Sequence, residues 1–154
     1  TMTGGRIKRI RPYVEDKPFL LTYGDGVSNV DIHALVDYHK SHGKIATITA
    51  VQPEGRFGVL NIQSGQINAF REKSRSDTGW INGGFMVMNP AIFDYIEGDD
   101  SIFEREPLER VAAEGQLMAY THDGFWMCMD TQRDRQKLEE LWNSGHAPWK
   151  VWND

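Results

Sequence analysis

Apolar and polar positions along the chain alternate between runs typical of strands and periods typical of helices. The run 19–23 (Phe-Leu-Leu-Thr-Tyr) is almost continuously apolar, as in a parallel strand that is covered on both faces. Asp31 follows as a helix N-cap, and Gly43 is the stop signal of that helix. The apolar face of the helix repeats at Ile32, Leu35, Val36 and His39. Residues 45–51 form a second strand, and a strand–helix–strand unit of this length predicts a right-handed parallel crossover.

The rest of the chain adds a hairpin, further strands and further helices. Residues 57–62 and 66–70 are short strands joined by the turn Gln63-Ser64-Gly65, which predicts a hairpin. The other predicted elements are helices over 3–14 (with Thr3 as a possible N-cap), 91–96, 103–114 and 132–143, and strands over 80–88 and 117–121. This order predicts an α/β fold with a mixed sheet, helices on both faces and a hairpin inserted between the parallel parts.

Composition and charge narrow the class of protein. The chain has 154 residues, of which 40% are hydrophobic and 25% charged, as in an ordinary soluble domain. Its net charge of −5 argues against a nucleic-acid surface. Cys128 is the single cysteine, which fits a reducing compartment such as the cytoplasm, and it is interpreted as a packed residue rather than a nucleophile. His39 and His42 have no third ligand nearby in sequence, so a zinc site is not predicted.

Two aspartates stand directly after apolar runs. Asp25 lies between Gly24 and Gly26 after the first strand, and Asp130 follows the apolar run 125–129. Each has a purely structural interpretation, because a turn aspartate can bond its own backbone and Asp130 can be the N-cap of the last helix. Taken together, the two carboxylates favour a shared divalent metal, since Mg²⁺ takes one or two carboxylates plus phosphate oxygens.

Further polar residues are candidates for an anionic substrate. Lys73 is a point charge suited to a phosphate, and Glu72 could accept hydrogen bonds from sugar hydroxyls. The alternative, a solvated strand end shared with Arg71 and Arg75, is the commoner explanation of such a charged segment. The segment Asn82-Gly83-Gly84 places two glycines inside a strand, which indicates a close approach by a ligand or by other backbone. Arg6 near a helix start could bind an anion or be an ordinary surface residue.

Several segments together carry a resemblance to a known family. They are TGGRIKR at the start, LTYGDGV, HGKIATITA, FREK, INGGFMVMNP, GFWMCMDTQRD and the aromatic tail APWKVW. In these segments the chain resembles the sugar nucleotidyltransferases, and within them the C-terminal part of the cytidylyl branch. The resemblance covers essentially the whole chain.

The resemblance implies a fold, a reaction and a set of roles. The fold is a Rossmann-like nucleotide-diphospho-sugar transferase fold with a mixed, mostly parallel sheet. The reaction joins CTP and α-D-glucose 1-phosphate to CDP-glucose and pyrophosphate with Mg²⁺, for dideoxysugars of surface polysaccharide such as lipopolysaccharide O-antigen. The implied roles are metal binding by Asp25 and Asp130, catalysis by these two and Lys73, nucleotide binding by Thr1, Arg6 and Gly24, and sugar-phosphate binding by Gly58, Glu72, Lys73 and Asn82.

The chain departs from the family pattern in two ways. The family's Gly-rich signature, which holds the base and the triphosphate, is absent, so the chain is expected to be the C-terminal portion of a single domain and not to act as an isolated active monomer. Ser74 stands where the family has proline after Glu72-Lys73. A thymidylyl- or uridylyltransferase and a non-catalytic sugar-phosphate-binding fragment therefore stay open, and the aromatic tail suggests a homo-oligomer.

Overall fold

A six-stranded mixed sheet and a separate two-stranded ribbon form the β-structure of the molecule. The computed structural model describes residues 1–14, 16–52, 59–71 and 79–153. The strands are β1 (Phe19–Leu21), β2 (Gly26–Ser28), β3 (Ala46–Val51), β4 (Val59–Gln63), β5 (Gln66–Arg71), β6 (Ile81–Met88), β7 (Leu117–Thr121) and β8 (Trp126–Cys128). The helices are α1 (Thr3–Arg9), α2 (Ile32–His42), α3 (Glu106–Ala113) and α4 (Gln132–Asn143), with 3-10 turns at Arg11–Tyr13 and Pro90–Tyr95.

The order of the large sheet is β1-β6-β3-β7-β5-β4, and its strand directions correct one expectation. Strands β1 and β3 run parallel to each other, but β6 lies between them and pairs antiparallel with both. Within the described residues only β3 and β7 pair in parallel, so the sheet is mixed as expected but not mostly parallel. A continuous apolar run favours burial of a strand but leaves the direction of its neighbours open.

Strand β1 differs from the expectation of a fully covered strand. It ends the described sheet order, and Leu20 in its middle exposes 54% of its surface. Phe19 instead packs inward, where its ring stacks on Phe93 at a centroid distance of 5.4 Å. The strand therefore has one buried face and one open face among the described residues.

Helices cover both faces of the sheet, as expected. Side chains alternate along β3, so Ile48 joins the main core with Leu108 and Val111 of α3. Thr47 points to the opposite face, where its hydroxyl bonds His39 of α2. Two helices thus sandwich one buried strand between them.

The observed ends of helices α1 and α2 can be compared with the caps that the sequence predicts. Asp31 caps α2 by accepting from the N–H of Ala34 at 3.0 Å, and Gly43 ends the helix at φ 66°, so both expectations are confirmed. Helix α1 stops at Arg9, earlier than expected, and its N-cap is Met2 rather than Thr3. The Thr3 hydroxyl donates instead to Glu104 at 2.7 Å. No helix formed by the described residues is long and apolar enough to cross a membrane.

Candidate active site

The two-stranded ribbon brings the two candidate metal ligands to one end of the molecule. Strands β2 and β8 pair antiparallel with Gly26 opposite Cys128. Asp25 immediately precedes β2 and Asp130 closely follows β8, so both lie at the same end of the ribbon. The main-chain N–H of Met129 donates to the carbonyl oxygen of Asp25 at 2.8 Å. The ribbon, which the sequence reasoning missed, is the element that joins the two aspartates.

Both aspartates line one cavity of about 190 Å³. Asn82 and Phe85 of β6 and Trp126 of β8 contribute to the same wall. Three sequence-predicted residues, Asp25, Asp130 and Asn82, therefore meet in one place. The expectation that the two aspartates share a cleft agrees with this arrangement.

The carboxylate of Asp130 is not consumed by a helix cap. The N-cap of α4 is Thr131, whose hydroxyl accepts from the N–H of Asp134 at 3.1 Å, and Asp134 returns the interaction by accepting from the N–H of Thr131 at 2.9 Å. Asp134 also accepts from the main-chain N–H of Asp130 at 3.2 Å, which orients that residue. Within the described residues the Asp130 carboxylate accepts only the weak Cys128 Sγ–H donor at 3.4 Å.

The carboxylate of Asp25 is equally available. Asp25 is exposed, and no side chain or main-chain donor among the described residues bonds its carboxylate. The interpretation of a turn aspartate that only bonds its own backbone is therefore not supported by the geometry. Both carboxylates keep their oxygen lone pairs for a cation or a solvent shell.

Cys128 lines the same cavity as the two aspartates, and their negative charges affect the pKa of its thiol. Its pKa is raised to about 12, first by burial and then by the hydrogen bond to Asp130 and by the charges of Asp130, Asp134 and Asp25. The thiol therefore stays protonated at neutral pH. This agrees with its interpretation as a packed residue, because the nucleophile or metal ligand would be the thiolate.

Asn82 is held by two neighbours on the cavity wall. Its amide nitrogen donates to the Tyr23 hydroxyl at 3.2 Å, and its amide oxygen accepts from the N–H of Gly84 at 2.9 Å. The Tyr23 hydroxyl donates to Glu104 at 2.9 Å. Burial, followed by the Glu104 charge, raises the pKa of Tyr23 far above its usual range, so the hydroxyl remains a donor.

The glycines after Asn82 shape a bulge in β6. Gly84 and Phe85 both adopt positive φ, at 73° and 43°, and the register of β6 against β3 shifts at this point. A Cβ on Gly83 would lie 3.0 Å from the Thr49 carbonyl oxygen, and one on Gly84 would lie 3.1 Å from the Tyr23 ring. The expected close approach is confirmed, and it is made by neighbouring protein atoms. The bulge turns Phe85 toward the cavity.

The remaining sequence-predicted residues are placed differently. Thr1 precedes α1 and Arg6 lies within it, and both are exposed. The Arg6 Nε–H donates to the Thr1 carbonyl oxygen at 3.2 Å, and neither residue lines the cavity. Gly24 is exposed beside Asp25, and a Cβ there would meet nothing within 4 Å. Gly58, Glu72 and Lys73, with Ser74, lie outside the described residues.

The donor set of the cavity suits a hard cation bound together with substrate. Across the described ranges no group of three or more His, Cys, Asp or Glu side chains could hold a metal ion. Asp25 and Asp130 are the two carboxylates that line the cavity, and the Cys128 thiol beside them is protonated. Mg²⁺ is commonly bound in this way, by one or two carboxylates with the other positions taken by phosphate oxygens and water. A site that needs a bound nucleotide to complete it fits these residues.

Comparison with known proteins places the chain in a family. The sequence matches the nucleotidyl transferase family over residues 5–154, and the chain belongs to that family.

Individual proteins of known sequence or structure are also similar to this chain. The chain is 55% identical over 153 residues to glucose-1-phosphate cytidylyltransferase of Salmonella typhi, covering 99% of this chain and 60% of that protein. It is 43% identical to the probable glucose-1-phosphate cytidylyltransferase of Bacillus subtilis (strain 168), with the same coverage of 99% and 60%. The crystal structure of HddC from Yersinia pseudotuberculosis matches with a TM-score of 0.77 at 25% identity, covering 92% of this chain and 62% of that one. The α/β fold class is thereby confirmed, and the chain spans about 60% of the length of these curated relatives.

Proposed function

We propose that this chain forms the metal-binding part of a glucose-1-phosphate cytidylyltransferase, which makes CDP-glucose and pyrophosphate from CTP and α-D-glucose 1-phosphate. The observation that carries the proposal is the shared cavity of Asp25 and Asp130, whose carboxylates are both left uncommitted by the fold. The 55% identity to the Salmonella typhi cytidylyltransferase supports the choice of nucleotide and sugar.

The chemistry asks the protein to position groups and neutralise charge. A phosphate oxygen of glucose 1-phosphate attacks the α-phosphorus of CTP in line, and the bond from that phosphorus to the bridging oxygen breaks to release pyrophosphate. The attacking phosphate is already largely ionised at neutral pH, so no general base is required. When bound, Mg²⁺ neutralises the charge that develops on the phosphate oxygens.

Three residues of the cavity and several further residues have roles in this proposal. Asp25 and Asp130 hold the cation at the open end of the ribbon. Asn82 has one amide N–H left after its bond to Tyr23, and it can donate that N–H to an oxygen of the sugar phosphate. Lys73, Glu72 and Gly58 are assigned to the sugar phosphate by sequence, and Thr1, Arg6 and Gly24 to the nucleotide.

The setting of the reaction follows from the same proposal. CDP-glucose would feed dideoxysugar synthesis for surface polysaccharide such as lipopolysaccharide O-antigen, in the cytoplasm. A homo-oligomer is expected from the aromatic tail, because Trp152 packs against Trp142 of α4 and the two side chains still expose 52% and 49% of their surfaces.

The test is turnover of the full-length protein with glucose 1-phosphate, Mg²⁺ and each nucleoside triphosphate in turn. Product formation with CTP at a kcat/KM at least about 10²-fold above that with dTTP or UTP is expected, since discrimination by hydrogen bonding to a base edge reaches this size. A preference for dTTP or UTP would instead identify a thymidylyl- or uridylyltransferase. Binding of glucose 1-phosphate without any nucleotidyl transfer would make the chain part of a non-catalytic binding protein.

Paired variants tie the activity to the cavity. Asp25→Asn and Asp130→Asn keep the side-chain size and remove the charge, so each should lower kcat/KM by about 10²-fold or more. Asp37→Asn is the matched control, because Asp37 is an exposed aspartate on α2 that does not line the cavity. Equal activity of all three variants would contradict the proposal.

A further inference from the structure

We propose that Tyr23 and Glu104 are positioning residues of this site, which fix the amide of Asn82 and tie it to helix α1. The inference rests on the proposed function, because it assigns Asn82 to the sugar phosphate and α1 to the nucleotide. Neither Tyr23 nor Glu104 was singled out by the sequence pattern. Both roles follow from one continuous chain of hydrogen bonds.

The direction of each hydrogen bond is set by the number of protons available. The Tyr23 hydroxyl has one proton, and the Glu104 carboxylate at 2.9 Å can only accept it. The Tyr23 oxygen must therefore act as acceptor toward Asn82, which places the amide nitrogen of Asn82 on the Tyr23 side. The amide oxygen then faces Gly84, whose N–H donates to it at 2.9 Å. Asn82 is thus held in one orientation by partners on both sides.

The fixed orientation determines what Asn82 offers to a ligand. Its nitrogen carries two protons, and one is used by Tyr23. The second is a donor at the wall of the cavity that Asp25 and Asp130 share. A donor suits an oxygen of a sugar phosphate, whereas a flipped amide would present an oxygen acceptor to the same anion. The orientation therefore bears directly on affinity.

Glu104 extends the chain of hydrogen bonds to α1. One carboxylate oxygen accepts from Tyr23, and the other accepts from the Thr3 hydroxyl at 2.7 Å. The Thr3 hydroxyl in turn accepts from the main-chain N–H of Phe103 at 2.9 Å, which fixes Thr3 to the segment that carries Glu104. Helix α1 also carries Arg6, assigned to the nucleotide. Glu104 consequently links the sugar-phosphate side of the site to the nucleotide side.

Packing supports the same arrangement. Tyr23 is half-buried and lines the cavity, and its ring lies against Gly84, where an added Cβ would come within 3.1 Å. The ring thus holds the β6 bulge from one side while its hydroxyl holds Asn82. A phenylalanine at this position keeps the ring packing and removes only the hydroxyl, which makes it a clean probe.

The test is a double-mutant cycle in the full-length protein with Tyr23→Phe and Asn82→Ala. Tyr23→Phe should raise KM for glucose 1-phosphate about 10-fold, with a smaller change in KM for CTP, because the hydroxyl acts through Asn82. In the Asn82→Ala background the same change should add less than a further 2-fold. Glu104→Gln, which can no longer accept with both oxygens, should raise KM for both substrates.

Tyr95→Phe is the matched control, because it deletes a tyrosine–glutamate hydrogen bond, to Glu114, outside the cavity. It should leave both KM values unchanged. If Tyr23→Phe and Asn82→Ala had additive effects on KM, or if Tyr23→Phe lowered only the melting temperature, the positioning role would be refuted.

A second readout keeps this inference separate from the proposed function. The side-chain amide resonances of Asn82 in a ¹⁵N spectrum should shift, and their exchange with solvent should accelerate, in Tyr23→Phe but not in Tyr95→Phe. Failure of the wild-type protein to turn over any nucleotide would refute the proposed function alone. Unchanged Asn82 amide signals in Tyr23→Phe would overturn the positioning role whatever the activity.

Discussion

The main-chain N–H of Met129 lies 2.8 Å from the carbonyl oxygen of Asp25, which it bonds across the β2–β8 ribbon. Met129 is the neighbour of Asp130, so this one backbone bond couples the positions of both candidate metal ligands. Neither aspartate needs its own side chain to stay in place. The carboxylates are free for chemistry because the backbone does the positioning.

At the start of α4, Thr131 caps the helix while the carboxylate of Asp130 is left for a cation, and this separation of roles gives a first prediction. Thr131→Ala removes the cap and should lower the free energy of unfolding by about 1 kcal/mol. Asp130→Asn should leave it nearly unchanged while it abolishes most activity, because the Asp130 side chain makes only a weak bond to Cys128 within the described residues. Urea denaturation of both variants checks this. A larger loss of stability in Asp130→Asn than in Thr131→Ala would restore Asp130 as the cap.

A closed ring of hydrogen bonds joins α2 to β3 and to the end of β6. The N–H of Lys44 donates to His42 Nδ1 at 2.9 Å, so His42 Nε2 donates to the Thr47 hydroxyl at 2.7 Å. Thr47 donates to His39 Nδ1 at 2.8 Å, and His39 Nε2 donates to the Asn89 amide oxygen at 3.0 Å. The Asn89 amide nitrogen closes the ring on the Lys44 carbonyl oxygen at 3.0 Å. His42 must be neutral for the Lys44 bond to form, because its Nδ1 is the acceptor of the main-chain N–H.

The ring predicts a loss of stability in mild acid. Burial, then the neighbouring His39 and Lys44, lower the pKa of His42 to about 4 from an ordinary value of 6.5. The unfolded chain therefore binds a proton at a higher pH than the folded chain does. The stabilisation from His42 is complete above pH 6.5 and falls as the pH decreases from 6.5 to about 4. For this half-buried ring we expect a loss of about 1–2 kcal/mol, reduced from the full linkage value by solvent screening.

Denaturation curves at several pH values for the wild type and His42→Gln test whether the folded protein loses stability as the pH falls. Gln cannot titrate, so the difference in stability between the two proteins should shrink from pH 7 toward pH 4. His33→Gln is the control, because His33 is exposed on the same helix. A difference that stayed constant over this range would show that His42 titrates normally in the folded protein.

The tight approach of α1 to the loop before α3 gives another prediction. A Cβ on Gly5 would lie 2.5 Å from the Asp99 Cα, which is main chain and cannot rotate away. Gly5→Ala should therefore cost about 1–3 kcal/mol of stability. Gly98→Ala is the control, since a Cβ there would meet nothing within 4 Å. Equal melting temperatures for the two variants would contradict the close packing of Gly5 in α1 against the main chain of Asp99.

The sequence predicted those features whose signals are local or chemical. Helix α2 was predicted because its N-cap, period and glycine stop all lie within the element. The pairing of Asp25 with Asp130 was predicted from the chemistry that two carboxylates share. Asn82 was singled out because glycines within a strand are costly unless something packs closely there.

What the sequence did not predict depends on contacts between distant segments. Strands β2 and β8 have three residues each, too short to show a period of two, so the ribbon was missed. The antiparallel direction of β6 could not be predicted, because an apolar run has the same pattern in either direction. The bond from Tyr23 to Glu104 joins residues 81 positions apart, and no local pattern signals it. The cap at Thr131 rather than Asp130 differs by one residue, which is within the usual uncertainty of helix ends.

Mn²⁺ binding measured by electron paramagnetic resonance tests most directly whether Asp25 and Asp130 hold one divalent cation together. With CTP present, the full-length wild type should bind one tightly held Mn²⁺ at this site, and Asp25→Asn and Asp130→Asn should each weaken it by about 10-fold or more. The double variant should be little worse than either single one, because both carboxylates serve the same ion. Asp37→Asn should bind Mn²⁺ like the wild type. Full Mn²⁺ affinity in the Asp25→Asn and Asp130→Asn proteins would contradict the account.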